Sequence, residues 1–394
     1  MIFNELSYFL LFLLPAVAAF HLGSARLRPW VIIFFGAAFF VYYGYLHFGG
    51  FWGALCVLIF LWETLTSRLY RPGSRWCLFG IAQALILLVA FKYLTFAVST
   101  WNDLATALGL PPLGAFHRLL LPLGISFFTF EFVHFAADSY RGRIERTSLA
   151  EYGAFILFFP SMVAGPIKRF QDFLPKLRAA RFDPTLAAQG ITRILAGLVK
   201  KHLLADTFAL WAARLNGPDL YTAHWYQIAG WILAYGMQIY FDFSGYSDIA
   251  IGSGYLFGIV IPENFNWPYV SRNIAEFWRR WHISLSSWIR DYVYIPLGGS
   301  RRGEGRTAAN LLIAFTASGI WHGAAYNFAA WGLWHGLLLV GHRQWAQRAP
   351  RLAERVPAFV SIAITFVMVN LGWAFFCMDM RRALIAFSRM VRLA

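Results

Sequence analysis

Apolar stretches separated by short polar turns follow one another along most of the chain. About 20 apolar residues cross the hydrocarbon core of a membrane. The pattern predicts spanning helices near residues 6–19, 30–48, 51–66, 76–100, 119–137, 225–241, 246–261, 308–321, 326–341 and 357–377. Residues 152–166 form a run too short to span and predict a re-entrant segment. Residues 190–213 predict a mixed helix, because charged side chains such as Arg193 and Lys201 interrupt the apolar positions.

The stretch from Glu276 to Gly299 has a different pattern. At 100° per residue its aromatic and aliphatic side chains fall on one face and its arginines and serines on the other, with His282 at the border. The pattern predicts one helix that lies along a membrane interface or lines a cavity. Such a helix can hold an anionic ligand with an apolar tail. It can equally be a surface anchor without chemistry.

Composition places these elements in a membrane. Hydrophobic residues make up 59% of the 394 residues and charged residues 13%, whereas soluble proteins average roughly 25% charged. We therefore predict an all-α polytopic membrane protein with about ten or eleven spans plus re-entrant and interfacial helices. Its organisation is predicted as a single membrane domain over residues 1–394, with peripheral helices at 1–118, a core at 119–377 and a short amphipathic tail at 378–394. Three cysteines in or beside apolar runs favour neither disulfides nor a metal cluster.

The distribution of arginines predicts an orientation. The loops after the first, third and fifth spans carry eight arginines, and the two loops between them carry only Arg118. Arginine accumulates in cytoplasmic loops, so the N-terminus is expected outside. The same rule accounts for the net charge of +15, and nucleic-acid binding is not expected.

Histidines inside apolar helices are candidates for chemistry, since ionisable groups at membrane depth are costly. His322 lies in the sequence S-G-I-W-H-G, where Gly319 and Gly323 are spaced for close helix contact. A neutral imidazole there can take a proton from a hydroxyl, or it can be a core residue hydrogen-bonded to a neighbouring helix. His335, in W-H-G, is likewise either a proton acceptor or a core residue, and for His335 the core residue is the favoured interpretation.

Acidic residues give two further candidates. Asp242 and Asp248 enclose a glycine-containing turn of sequence, so they either orient a histidine, bind a cation or satisfy the amides of a broken helix. Glu131, His134 and Asp138 share one helix face, as in carboxylate–histidine metal sites. No second helix of that kind is present in the sequence, and we predict no metal.

Several segments together resemble the membrane-bound O-acyltransferases. The segments are L-P-L-G-I-S-F-F-T-F (121–130), A-G-P-I-K-R-F-Q-D-F (164–173), Y-F-D-F-S-G-Y-S-D-I-A-I-G (240–252), N-F-N-W-P-Y (264–269), S-G-I-W-H-G (318–323) and the whole 276–299 stretch. They are most similar to the bacterial branch that modifies alginate and peptidoglycan. The resemblance implies helices arranged around a central tunnel in the bacterial inner membrane.

The resemblance also implies a reaction. An acyl group, expected to be acetyl, passes from a cytoplasmic thioester such as acetyl-CoA to a hydroxyl across the membrane; no bound cofactor is expected. His322 matches the catalytic histidine of the family and His282 a second functional histidine. The remaining predicted roles are phosphate attraction by Arg279, Arg280, Lys168 and Arg169, and support by Asp242, Asp248, Trp321 and Ser286.

The expected partners are the acyl-CoA donor, membrane lipid, and a periplasmic acetyltransferase of the SGNH type or another polysaccharide-modifying protein. Two other functions remain open from the sequence. The histidines would serve as a proton relay in a transporter. Alternatively, the chain would be a non-catalytic scaffold that recruits a periplasmic acetyltransferase.

Overall fold

The computed structural model describes residues 4–48, 50–114, 121–145, 147–163 and 165–391. Within these ranges all regular secondary structure is helical, and no strand occurs. The predicted all-α fold class is confirmed. The chain forms two compact units, Met1–Ala196 with Tyr246–Pro262, and Gly197–Gly245 with Glu263–Ala394.

The first unit is built from the N-terminal helices and part of a later one. Its helices are α1 (Leu14–Leu22), α2 (Arg28–Phe48), α3 (Gly50–Thr66), α4 (Arg75–Leu88), α5 (Leu94–Ala107), α6 (Ile125–Tyr140), α7 (Leu149–Ile156), α8 (Phe170–Ala179), most of α9 (Pro184–Val199) and the end of α11 (Trp225–Leu256). π-Helical turns at Tyr8–Leu13 and Val89–Tyr93 lead into α1 and join α4 to α5.

The second unit holds the remaining helices. They are α10 (Asp206–Ala212), the first part of α11, α12 (Ile274–Arg280), α13 (Ile283–Ile289), α14 (Glu304–His322), α15 (Tyr326–Arg348), α16 (Pro350–Arg355), α17 (Ala358–Cys377) and α18 (Met380–Val391). A π-helical turn at Arg290–Tyr294 extends α13.

Three helical stretches of the described residues are long and apolar enough to cross a membrane. They are Arg28–Leu46, Arg75–Ala107 and Ala358–Cys377, with mean hydropathies of 1.6, 2.0 and 2.0. The other predicted spans correspond to shorter or more polar helices. The predicted total of about ten or eleven spans stays a prediction.

The segment predicted as re-entrant is short and buried. Ser148 begins α7 with a capping box, in which its side chain accepts from the Glu151 amide and the Glu151 carboxylate accepts from the Ser148 amide. The helix has 8 residues, and the irregular backbone after it is covered by protein. Non-helical backbone at membrane depth is tolerated only in such surroundings.

The prediction of separate spans at 225–241 and 246–261 is wrong. Both belong to α11, a continuous helix of 32 residues. The glycines that suggested a break serve close packing, since a Cβ on Gly252 would lie 2.5 Å from the carbonyl oxygen of Gly190. Glycine in a helix interior costs roughly 1 kcal/mol relative to alanine. The close approach of α9 and α11 offsets that cost here.

In the second unit, α14 and α15 pack most closely at two glycines. A Cβ on Gly319 would overlap the carbonyl oxygen of Phe328 and lie 2.9 Å from the amide of Gly332. The predicted role of Gly319 in close helix contact is confirmed. At the other end of the pair, Arg343 donates to the Glu304 carboxylate at 2.9 Å. The two helices are therefore antiparallel, and His322 is the last residue of α14 rather than an interior one.

Candidate active site

The predicted single helix over 276–299 is interrupted. α12 ends at Arg280 and α13 begins at Ile283, with extended backbone at Trp281 and left-handed backbone at His282, where φ is +42°. A non-glycine residue in that conformation costs about 1–3 kcal/mol. The expectation of an unbroken amphipathic helix was therefore wrong. The break lies at His282, the residue that the sequence placed at the border between the two faces.

The break is held by a neighbouring extended segment. The amide of Ile283 donates to the carbonyl oxygen of Asn264 at 3.0 Å, and the amide of Asn266 donates to the carbonyl oxygen of Arg280 at 3.0 Å. The Ser284 hydroxyl donates to the Asn264 side-chain oxygen at 2.6 Å. These bonds satisfy backbone groups that a helix end leaves open, which offsets the strain at His282.

The aromatic face of α12 packs onto protein. Trp278 contacts Trp331 of α15 at 5.7 Å between ring centroids. Trp281 contacts Trp373 of α17 at 4.9 Å. Phe277, Trp278 and Trp281 are all buried. Of the two predicted placements, along an interface or lining a cavity, the second describes α12 and α13.

A cleft of about 440 Å³ opens beside this block, and we call it the α14 cleft. Trp278 and Arg279 of α12, Ser286 of α13 and Arg290 line it, together with a stripe of α14. That stripe consists of Leu311, Phe315 and Ser318. The cleft thus combines an apolar wall, hydroxyl groups and two guanidinium groups within the second unit.

His322 continues the same stripe of α14. Leu311, Phe315, Ser318 and His322 are separated by four, three and four residues, so they share one helix face. At 1.5 Å rise per residue, His322 lies roughly 16 Å along α14 from Leu311. The imidazole is thus on the cleft-lining face of α14, one turn beyond Ser318, the last α14 residue that lines the cleft.

The His322 ring lies among aromatic rings. Its centroid is 4.7 Å from that of Trp321, 5.1 Å from that of Trp331 and 5.1 Å from that of Phe376. His322 is only half-buried, whereas Trp321 beside it is buried. The arrangement positions the imidazole by ring packing from three helices and leaves part of it accessible.

His282 lies in a different environment from His322. It is 2% exposed, and its ring stands edge-on to Phe243 of α11 at 4.6 Å. Its Nε2 has no hydrogen-bond partner among the described residues. Burial lowers the pKa of His282 to about 3, so the ring is neutral at physiological pH.

The two arginines predicted to attract phosphates differ in their surroundings. Arg279 is exposed on the α14 cleft, and no carboxylate of the described residues pairs with it. Arg280 pairs with Glu276 at 2.8 Å and donates to the carbonyl oxygen of Asn266. Burial disfavours the charge of Glu276, but the amide of Arg272 and the guanidinium of Arg280 outweigh it and lower the pKa of this carboxyl.

Lys168 and Arg169 belong to the first unit. Lys168 is buried, and its ammonium group pairs with the buried carboxylate of Glu131. Arg169 precedes α8 in extended backbone and is half-buried. The predicted phosphate contacts of both residues stay predictions, and the ion pair gives Lys168 a structural partner.

The two acids of α11 pair with basic side chains on the preceding helix. Asp248 accepts from Arg193 at 2.9 Å in the first unit. Asp242 accepts from Lys201 at 2.8 Å in the second. Arg193 and Lys201, the basic residues that interrupt the apolar positions of segment 190–213, are thus ion-pair partners of acids on α11. The predicted supporting role of both acids at a histidine stays a prediction.

The acidic face of α6 contacts the start of α8. His134 Nε2 accepts from the Phe170 amide at 3.1 Å, and Asp138 accepts from the Gln171 side chain at 2.6 Å. Among the described residues no group of three or more histidine, cysteine or acidic side chains could hold a metal ion. Glu131, His134 and Asp138 therefore act in packing α6 against α8.

Sequence reasoning missed most of the walls of the site. Trp331, Trp373 and Phe376 surround His322 and the α12 block, and Ser318 lines the α14 cleft. His335 lies behind them, fully buried between Trp278 and Trp331 at 5.1 and 4.9 Å. The signal in the sequence was the density of aromatic residues in α15 and α17, which alone is equally typical of a membrane core.

Comparison with known proteins defines the family. The model of MBOAT, the membrane-bound O-acyltransferase family, matches residues 79–380. This chain belongs to the membrane-bound O-acyltransferase family. The match includes the histidines, the α12–α13 break and the α14 cleft described above. The chain is accordingly a membrane O-acyltransferase.

The names of three relatives state three different polymers, namely alginate, peptidoglycan and teichoic acid. The probable alginate O-acetylase of Pseudomonas aeruginosa is 37% identical over 393 residues, which cover 95% of this chain and 72% of that protein. The peptidoglycan O-acetyltransferase of Helicobacter pylori is 34% identical over 331 residues, 76% of this chain and 61% of that protein. The teichoic acid D-alanyltransferase of Bacillus subtilis is 32% identical over 278 residues, 66% of this chain and 69% of that protein.

Proposed function

We propose that this O-acyltransferase takes an acetyl group from acetyl-CoA on the cytoplasmic side and transfers it to a hydroxyl on the outer side. The observation that carries the proposal is the α14 cleft, which is lined by Arg279, Arg290 and the face of α14 that continues to His322. Guanidinium groups favour phosphate, and the narrow apolar wall suits a thin arm that ends in an acyl group.

Charge supports the sidedness. The start of α14 and the end of α15, which lie together, carry a set of basic side chains that we call the basic end. Its members are Arg301, Arg302, Arg306, Arg343 and Arg348. Such clusters favour the cytoplasm, and His322 lies at the opposite end of α14. The acyl arm would therefore enter from the cytoplasm and deliver its thioester near the far side.

His322 is proposed as the general base. Its imidazole removes the proton from the acceptor hydroxyl as the oxygen attacks the thioester carbonyl. The carbon–sulfur bond then breaks, and the departing thiolate takes the proton from the imidazolium. His282, held neutral at the α12–α13 break, is proposed to lie beside the thioester.

The acceptor is proposed to be a cell-envelope or extracellular polysaccharide, reached directly or through a periplasmic acetyltransferase. Support comes from the named activities of the relatives, of which those reported at 37% and 34% identity are O-acetylating enzymes. The names of all three relatives describe transfer of an acyl group to a polymer.

Membrane vesicles of defined orientation test the proposal. Inverted vesicles supplied with acetyl-CoA radiolabelled in the acetyl group should label a polymer or a partner protein, because the donor then reaches the basic end. Sealed right-side-out vesicles should not, until they are permeabilised. Radiolabelled acetate serves as the control donor. Equal labelling from both orientations, or none from either, contradicts the proposed donor and sidedness.

A further inference from the structure

A second cleft in the second unit has a volume of about 870 Å³. We propose that it binds an anionic phospholipid, whose phosphate lies between Arg272 and Arg355 and one of whose acyl chains lies along α17. We call it the α17 cleft. Nothing in the reaction proposed above requires it.

α12 and α15 separate this cleft from the α14 cleft. Trp278 and Arg279 face the α14 cleft, whereas Arg272 and Ile274 line the α17 cleft. On α15, Leu339 lines the α14 cleft and its neighbour Leu338 the α17 cleft. The two clefts therefore have separate linings and lie on neighbouring faces of the same pair of helices.

The lining of the α17 cleft includes groups that attract an anion. Arg272 and Arg355 both line it and are exposed, and neither pairs with a carboxylate among the described side chains. His342 also lines the cleft, and burial together with the nearby charge of Arg279 lowers its pKa. Its imidazole adds a hydrogen-bonding group suited to a phosphodiester or to a glycerol hydroxyl.

The rest of the cleft is mostly apolar, apart from Asn273, Ser361 and Thr365, and follows a helix long and apolar enough to cross a membrane. Its wall on α17 runs from Ala358 through Ile364 to Met368, roughly 15 Å at 1.5 Å per residue. That distance is about half of a 30 Å hydrocarbon core, or one leaflet. The Thr365 hydroxyl donates to a carbonyl of its own helix and so leaves the wall apolar.

The rim of the cleft also matches a membrane interface. Trp345 lines the cleft and is 45% exposed, and tryptophan is enriched at the level of lipid headgroups. A cation pair at the rim, an aromatic ring beside it and an apolar trough one leaflet deep fit a phospholipid in both charge and length.

A nucleotide thioester fits less well. Its arm contains amide groups, and those beside Ile364 and Met368 would lie against apolar side chains, with polar side chains only at Asn273, Ser361 and Thr365. Burying an unpaired amide costs about 1–3 kcal/mol in proteins. An acyl chain carries no such penalty. Both ligands contain phosphate, and we therefore assign the cleft to the phospholipid.

Native mass spectrometry of the detergent-purified full chain tests the assignment. Phosphatidylglycerol should be retained in preference to phosphatidylcholine with the same acyl chains. The double variant Arg272→Gln/Arg355→Gln should lose that preference, by roughly fivefold for each arginine. Arg351→Gln, on the same helix as Arg355 but outside the cleft, should leave it unchanged. Equal loss in the control, or no loss in the double variant, overturns the proposal.

The unaltered protein provides a second test that is independent of variant folding. A phosphatidylglycerol with a photoreactive group in its acyl chain should label residues 358–368. Labelling spread evenly over other helices overturns the assignment. Neither coenzyme A nor inorganic phosphate should reduce the labelling. Competition by coenzyme A would make the cleft part of the donor site, and competition by phosphate alone would make it a simple anion site.

Discussion

The two units bury ionisable side chains in opposite ways. In the first unit Lys168 pairs with Glu131, and His134 and Asp138 accept hydrogen bonds from the start of α8. In the second unit, among the described residues, Nε2 of His282 and both ring nitrogens of His335 lack hydrogen-bond partners, and aromatic rings surround them.

The difference leads to the hypothesis that the ionisable groups of the first unit are structural and that imidazoles of the second unit are available for chemistry. A buried charge is costly unless it is paired, so the paired cluster of the first unit contributes by holding two helices together. An imidazole packed only by aromatic rings contributes little to holding helices together. Its ring nitrogens stay able to form a hydrogen bond with a reacting group. Position in an apolar helix alone did not distinguish the paired groups of the first unit from the unpaired imidazoles of the second. The hydrogen-bond and ion-pair partners of each side chain distinguish them.

The largest expected effect concerns His322. His322→Ala should lower acyl transfer per folded molecule by roughly 10²–10⁴-fold, the loss typical of a removed general base. The yield of monodisperse protein should stay close to that of the parent, because ring packing around the site involves residues of several helices. Activity with radiolabelled acetyl-CoA is the measurement.

His134→Gln in the first unit is the matched control for His322→Ala. The side-chain oxygen of the introduced glutamine can accept the hydrogen bond of the Phe170 amide in place of the imidazole. Activity per folded molecule should therefore be unchanged. A comparable loss in both variants would remove the distinction between the two units.

The second effect is on stability. Lys168→Met should destabilise the protein by about 3–5 kcal/mol, because it leaves the Glu131 carboxylate buried without its partner. Arg178→Gln breaks a partly exposed pair with Glu151 and should cost at most about 1 kcal/mol. Denaturant unfolding in detergent compares them. If Lys168→Met instead raises KM for acetyl-CoA with stability unchanged, Lys168 binds the donor as the sequence suggested.

The smallest effect separates the two arginines of α12. Arg279→Gln should raise KM for acetyl-CoA roughly fivefold, the effect of losing about 1 kcal/mol of phosphate attraction. Added salt should then change KM less than in the parent. Arg280→Gln should change KM less, because Glu276 and Asn266 already hold that guanidinium. The opposite ranking would contradict the position assigned to the donor phosphates.

Local sequence pattern was sufficient for much of the fold. Apolar length predicted the helices that became α2, α4 with α5, and α17. Gly319 was assigned to a close helix contact because the spacing of Gly319 and Gly323 in the sequence is sufficient to predict such a contact. The length of the apolar run at 152–166 also predicted a short element there, which is α7, while its re-entrant position stays a prediction.

Long-range partners decided what the pattern could not. The break at His282 depends on bonds to Asn264 and Asn266, which helical periodicity does not report. The continuity of α11 likewise depends on the approach of Gly190 to Gly252. For the site, the resemblance selected His282 and His322, whereas Ser318 and the tryptophan walls required the three-dimensional arrangement.

The contact at Gly319 has a consequence for the range of acyl groups the enzyme can accept. Gly319 precedes His322 by less than one helical turn, and the backbone of α15 leaves no room for a larger residue there. Next to the imidazole, α14 therefore cannot move closer to α15. If the acyl arm lies in the α14 cleft as proposed, adaptation to longer or branched acyl chains would come from side chains of that cleft, such as Ala314 and Ser318. Engineering of donor selectivity should begin at those two positions.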